Sequence, residues 1–200
     1  MRRKKIGVMG GTFDPIHLGH LLIAQSVLDE LKLDEVLFIP AGVPPHKDHR
    51  AITEFSLRWE MLQLAIQDNP AFIASAIEDQ EGKRSYTYDT LCQLIRENPL
   101  VDYTFIIGED SLRNIHTWYK VKELIGLVPF AVVDRVIDEA SFLSFIKKYN
   151  DMGGNFHPVE MPLMEISSTD LRNRVGARRN IRYMVPESVR KYIEERGLYR

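Results

Sequence analysis

An α/β fold with a Rossmann-like, doubly wound and mostly parallel sheet is what this sequence of 200 residues predicts. Three observations carry that expectation. Apolar runs of strand length alternate with helical periodicities along the chain. Runs such as Val36-Leu37-Phe38-Ile39 are apolar at consecutive positions, as in strands covered on both faces. The first run leads through a Gly-Gly turn into a helix, and parallel sheets gather ligands at the carboxyl ends of such strands.

The first strand is Ile6-Gly7-Val8-Met9, and the helix beyond the turn carries Leu21, Leu22, Ala24, Gln25, Leu28 and Leu31. Glu35 to Pro40 is a second buried strand stopped by proline, and Ala41 to Asp48 is a loop punctuated by Gly42, Pro44 and Pro45. Ser56 begins a helix with Leu57, Met61, Leu64 and Ala65 on one face. Phe72 to Ile77 alternates as a third strand, and Asp79 to Arg84 is a polar turn. Thr87 or Asp89 caps a helix running through Leu91, Leu94 and Ile95 to Asn98-Pro99. Tyr103 to Gly108 is the clearest strand, β-branched and aromatic. A helix from His116 to Leu127, a strand from Pro129 to Asp134, a helix from Glu139 to Asn150 and a strand from Asn155 to Met161 follow. A short helix spans Ser168 to Val175, and the last helix has Pro186 at its first position with Gly197 just past its end. There is no repeat, low-complexity tract or linker, so residues 1–200 read as one domain.

Composition narrows the function classes. A hydrophobic fraction of 44% and a charged fraction of 27% are those of a soluble globular protein, and a net charge of −2 argues against general nucleic-acid binding. The single cysteine, Cys92, excludes an internal disulfide and suits a reducing cytoplasm. The basic start Arg2-Arg3-Lys4-Lys5 is followed by an apolar run cut at Gly10, Gly11 and Asp14, and no stretch reaches membrane-spanning length. Oligomeric state is left open, a homodimer being one option.

The chain is organised around Met9-Gly10-Gly11-Thr12-Phe13-Asp14-Pro15-Ile16-His17-Leu18-Gly19-His20. A strand, a glycine turn and a helix N-terminus in that order make an anion site, because unpaired N–H groups and the positive end of the helix dipole converge there. Gly10 and Gly11 leave no Cβ to block a phosphate, and His17 and His20, three apart, are expected to turn both imidazoles to one ligand. Zinc is the competing chemistry, since His46 and His49 repeat the spacing, but no ligand set with structural-zinc spacing accompanies them. No protein-held metal is expected.

Gly-Gly-Thr-Phe-Asp-Pro-Ile-His-Leu-Gly-His resembles the first signature of the nucleotidylyltransferase superfamily, whose HxGH turn binds ATP phosphates. Ile166-Ser167-Ser168-Thr169-Asp170-Leu171-Arg172 resembles its second, ISSTxIR, with leucine for isoleucine. Over nearly its whole length the chain is most similar to the bacterial nicotinate-nucleotide adenylyltransferases. The resemblance implies transfer of AMP from ATP to nicotinate mononucleotide, with Mg²⁺ carried on the ATP. By motif position it implies that His17, His20 and Arg172 act on the phosphates, lined by Gly10, Gly11 and Thr12, while Ser167, Ser168 and Thr169 hold the β- and γ-phosphates. Without the first motif, that Ser-Ser-Thr-Asp run reads rather as an N-cap, with Arg172 on a solvated face. Lys47, beside Pro44-Pro45, resembles a family phosphate contact and is otherwise an ordinary surface lysine.

For the acceptor, the resemblance implies a pyridine ring near Trp118 and Tyr119, where the residues alone equally allow Trp118 as core and Tyr119 as rim. Ser85-Tyr86-Thr87 precedes a helix whose first N–H groups can receive a carboxylate, which favours the acid over the amide. Gly108 and Asp110 fall where the family meets ribose or phosphate. Arg135-Val136-Ile137 replaces the family's usual Arg-Pro-Gly, which leaves the role of Arg135 open. Alternatives are an adenylyltransferase acting on nicotinamide mononucleotide or phosphopantetheine, and a nucleotide-binding regulatory module without turnover. A transfer-RNA synthetase fragment also uses the histidine turn, but the chain is too short and not basic enough to favour it.

Overall fold

The computed structural model describes residues 2–42, 52–80, 85–133, 139–162 and 164–200. Its strands are β1 (Lys4–Gly11), β2 (Glu35–Pro40), β3 (Phe72–Ala74), β4 (Val101–Gly108), β5 (Phe130–Val133) and β6 (Phe156–Val159). They lie in the order β3-β2-β1-β4-β5-β6, with every neighbouring pair parallel. Val8 in β1 sits between Leu37 of β2 and Phe105 of β4. The helices are α1 (Leu18–Glu30), α2 (Phe55–Ile66), α3 (Thr87–Glu97), α4 (Glu109–Asn114), α5 (Val121–Ile125), α6 (Glu139–Asp151), α7 (Ser168–Gly176) and α8 (Glu187–Arg196).

Consecutive apolar residues in the strands are explained by two core layers. Ile106, Ala131 and Val133 pack with Ile23, Val27, Met61, Leu62, Leu171 and Val189, from α1, α2, α7 and α8. Their neighbours Phe105, Ile107, Phe130 and Val132 point the other way, onto Leu91, Leu112, Leu124 and Phe142 of α3 to α6. Side chains alternate in direction along a strand, so both halves of each run must be apolar when helices cover both faces. The chain changes face at α3, which brings β4 back beside β1. The carboxyl ends of β1 and β4 therefore flank the crevice where the winding direction reverses.

Several expected boundaries are corrected. In place of the helix expected from His116 to Leu127 are a 3₁₀ turn at Ile115–Thr117 and the short α5. Trp118 has extended backbone (φ −76°, ψ 149°) and Lys120 is left-handed (φ 50°, ψ 44°). The break comes there because Leu112, Ile115 and Leu124 are all fully buried, and no single straight helix bridges those contacts while turning Trp118 onto Phe105. The strand expected to reach Ile77 ends at Ala74, α2 starts at Phe55, and Pro186 (φ −53°, ψ 145°) caps α8 from outside rather than opening it. Among the described residues, no helix is long and apolar enough to cross a membrane.

Candidate active site

The end of β1 shapes a tight turn. Phe13 takes a left-handed conformation (φ 48°), and its ring folds back so closely that a Cβ on Gly11 would lie 2.9 Å from it. Gly11 is therefore needed for the turn's packing as well as for access. His17 is then the N-cap of α1 (φ −146°, ψ 170°) and His20 its third residue. Each backbone N–H donates to the other's Nδ1, at 3.2 and 3.3 Å, which is a capping box built from two histidines.

The two imidazoles, expected to face one ligand, are placed unequally. Residues three apart share a face only when both are helical; an N-cap residue is not. His17 is 2% exposed, its ring stacked 3.6 Å behind that of His20. His20 alone of the pair lines the crevice, with Phe13 edge-on against it at 5.1 Å.

The crevice is a cavity of about 650 Å³. Gly10, Gly11, Thr12 and His20 form one end, and Gly108 and Asp110, from the β4–α4 junction, form part of its wall. Tyr86, Thr87, Trp118 and Tyr119 line it too. Trp118 meets Phe105 edge-on at 6.1 Å, so it is anchored to the core while presenting a face to the cavity. Tyr119 is 44% exposed and lies 4.6 Å from Tyr86, with the Lys120 ammonium 5.1 Å from its ring. Tyr86 is the N-cap of α3 and makes no side-chain cap hydrogen bond there, and both it and Thr87, the first helical residue, are at the cavity wall.

The second motif is laid against the first rather than on the cavity wall. Arg172 Nη1 donates to the carbonyl of Asp14 at 2.7 Å, and Ser168 Oγ donates to the carbonyl of Pro15 at 2.9 Å. Ser167 caps α7 by accepting from the N–H of Asp170, and Thr169 Oγ1 accepts from Arg172 at 3.3 Å. Segments far apart in sequence are thus fastened across the phosphate-type turn. Lys47 and Arg135 lie outside the described residues.

Four further residues hold the site together, and of these only Asp14, inside the first motif, was named from the sequence. Arg58, 1% exposed, donates to the carbonyls of Thr53 (2.9 Å), Thr12 (2.7 Å) and Ala41 (2.8 Å). It therefore joins the turn after β1 to the loop after β2. Burial lowers its pKa, opposed by the charge of Asp14. Asp14, 2% exposed, accepts from Tyr199 Oη at 2.6 Å and from the N–H of Thr53 at 3.2 Å. Burial first, and the Asp14 charge second, push the Tyr199 phenol well above its ordinary pKa. Glu78, on the cavity wall, is also raised, by burial, although Thr90, Ser85 and the N–H of Gly42 donate to it. No sequence spacing signals these partners, which come from separate elements.

A Rossmann-like sheet with a histidine turn at its switch point and an arginine helix clasped over that turn defines a nucleotidyltransferase. The family model described as cytidylyltransferase-like matches residues 8–174. A relative from Desulfitobacterium hafniense (strain Y51) is 45% identical over 199 residues, covering 98% of this chain and 96% of its own. The nicotinate-nucleotide adenylyltransferase of Bacillus subtilis (strain 168) is 40% identical, covering 98% of each. In fold the chain is similar to Plasmodium falciparum nicotinic acid mononucleotide adenylyltransferase complexed with NaAD, with a TM-score of 0.82 at 20% identity, covering 98% of this chain and 97% of that one. The chain belongs to the nicotinate-nucleotide adenylyltransferase family.

Proposed function

We propose that this chain joins ATP and nicotinate mononucleotide to give nicotinate adenine dinucleotide and pyrophosphate, in NAD biosynthesis in the cytoplasm. The observation that carries the reading is one cavity with two ends of different chemistry: a glycine and histidine turn, and an aromatic wall beside an uncapped helix N-terminus. Those ends suit a triphosphate and a pyridine carboxylate respectively.

In the reaction an oxygen of the mononucleotide phosphate bonds to the α-phosphorus of ATP, and the bond from that phosphorus to the bridging oxygen of pyrophosphate breaks. The attacking oxygen is already anionic, so no general base is needed. Catalysis then consists of aligning two mutually repelling anions and stabilising charge on the phosphoryl oxygens. His20 donates to the α-phosphate region, with Gly10, Gly11 and Thr12 forming the floor. His17 acts through His20, holding its ring by the reciprocal cap and the stacked contact. Arg172 and the start of α7, Ser167 to Thr169, take the leaving β- and γ-phosphates. The bond from Arg172 to the Asp14 carbonyl supports this role by holding the guanidinium against the same turn. Lys47 is assigned to the phosphates on its motif position alone. Mg²⁺ arriving with ATP would offset the charge of the triphosphate. Among the described residues no three His, Cys, Asp or Glu side chains gather into a cation cage.

For the acceptor, Trp118 and Tyr119 flank the pyridine ring, and Gly108 and Asp110 meet the ribose or phosphate. The N–H groups at Tyr86 and Thr87 receive the carboxylate, and the helix dipole favours that anion over a neutral amide. A pyrophosphate-release assay with ATP and a panel of mononucleotides tests the reading. Turnover with nicotinate mononucleotide is expected; equal or faster turnover with the nicotinamide form would overturn the acid preference. No release with any acceptor would make the chain a binding module.

A further inference from the structure

Glu78 is a half-buried carboxylate on the cavity wall with no part in the chemistry above. Its donors come from three separate segments. Thr90, in the first turn of α3, donates from Oγ1 at 2.7 Å; Ser85, just before α3, donates its hydroxyl; and Gly42, after β2, donates its N–H. The approach of Gly42 is so close that a Cβ there would stand 2.0 Å from the Glu78 carbonyl oxygen. From its other side the same loop is held by Arg58 through the carbonyl of Ala41. Thr90 Oγ1 also reaches the carbonyl of Tyr86 at 3.2 Å, so the tie extends to the N-cap of α3. That N-cap has no side-chain bond of its own.

We propose that Glu78 is a positioning residue for acceptor selectivity. Its carboxylate moors the start of α3 to the loop after β2 and thereby fixes the N–H groups that receive the acceptor's carboxylate. The inference rests on the proposed reaction. It also makes a prediction opposite to simple charge. A bare carboxylate on the wall would repel an anionic acceptor, and neutralising it would improve binding. A carboxylate that accepts from Thr90 directs its charge at that donor, and neutralising it loosens the helix start instead.

The test is steady-state kinetics of Glu78→Gln and Thr90→Val with ATP and both mononucleotides. Glu78→Gln turns an amide N–H towards donors that need an acceptor. The KM for nicotinate mononucleotide is expected to rise about tenfold, with kcat and the KM for ATP within about twofold. The KM for the nicotinamide form moves less, so the acid preference narrows. Thr90→Val removes one donor while leaving the wall charge in place, and a rise of about threefold in the same KM is expected. A fall or no change in that KM in Glu78→Gln overturns the inference, as does an equal loss for both acceptors and ATP. If Glu78→Gln does not fold, Thr90→Val decides alone, and an unchanged KM there also overturns it. A wild-type enzyme that does not turn over nicotinate mononucleotide instead overturns the proposed reaction, a result read before either variant.

Discussion

Arg58→Lys keeps the charge and removes the fork. In the structure Arg58 reaches three backbone carbonyls from three directions, at 2.9, 2.7 and 2.8 Å, with its side chain fully buried. A lysine ammonium is a single point on a flexible stem, and it can reach one of those carbonyls at a time. Two bonds from a charged donor are lost, each worth ~1.5–3 kcal/mol, so about 3–6 kcal/mol of stability is expected to go. That is a large part of the 5–15 kcal/mol or so that holds a typical domain folded. At about 2–4 °C per kcal/mol for a chain of this size, Tm falls by about 6–24 °C. Denaturant titration gives the free energy directly, with an unchanged m-value showing that the same surface is exposed on unfolding. Because one lost partner is the carbonyl of Thr12, the KM for ATP should rise as well. An unfolding free energy within about 1 kcal/mol of wild type would refute the bracing role and the magnitudes behind it.

The two histidines should separate. His20→Ala is expected to lower kcat by about 100-fold, the effect of losing one donor worth ~3 kcal/mol in the transition state, with little change in KM for the mononucleotide; an unchanged rate would remove His20 from the chemistry. His17→Ala additionally costs about 1 kcal/mol in stability, as loss of an N-cap does, measurable by the same titration. Trp118→Ala should raise the KM for nicotinate mononucleotide several-fold, and an effect confined to ATP would contradict its assignment. Tyr199→Phe tests the buried contact with Asp14. The Tyr199 phenol is held above its ordinary value of 10.0, so its contribution is complete below pH ~10 and declines above it, where the unfolded chain gives up a proton the folded chain keeps. Stability of the wild type should therefore fall with rising pH in that range by ~1.4 kcal/mol per pH unit more steeply than the variant. Identical slopes would show that the phenol is not so constrained.

What could be learned from the sequence was whatever is local or periodic. Consecutive apolar residues marked strands buried on both faces, Gly10-Gly11 and His17-x-Gly-His20 marked a turn into a helix, and Ser167 to Arg172 marked a second capped helix. These features depend on neighbours within a turn or two, and such neighbours are fixed by the order of residues. The parallel sheet and the crevice at its reversal point follow from them by general rules of winding.

Tertiary structure decided the rest, because it concerns groups brought together from distant parts of the chain. Spacing alone made His17 and His20 equal partners, but the backbone at residue 17 turned one into a cap behind the other. The helix expected across Trp118 broke so that separate core contacts could be made. Arg58, Glu78 and Tyr199 carry no local signature, and the partners of Asp14 are not written in its motif, since each is defined by groups from other elements. A buried charge is tolerated only where its hydrogen bonds are met, and which groups meet them is settled when the chain is packed, not when it is written.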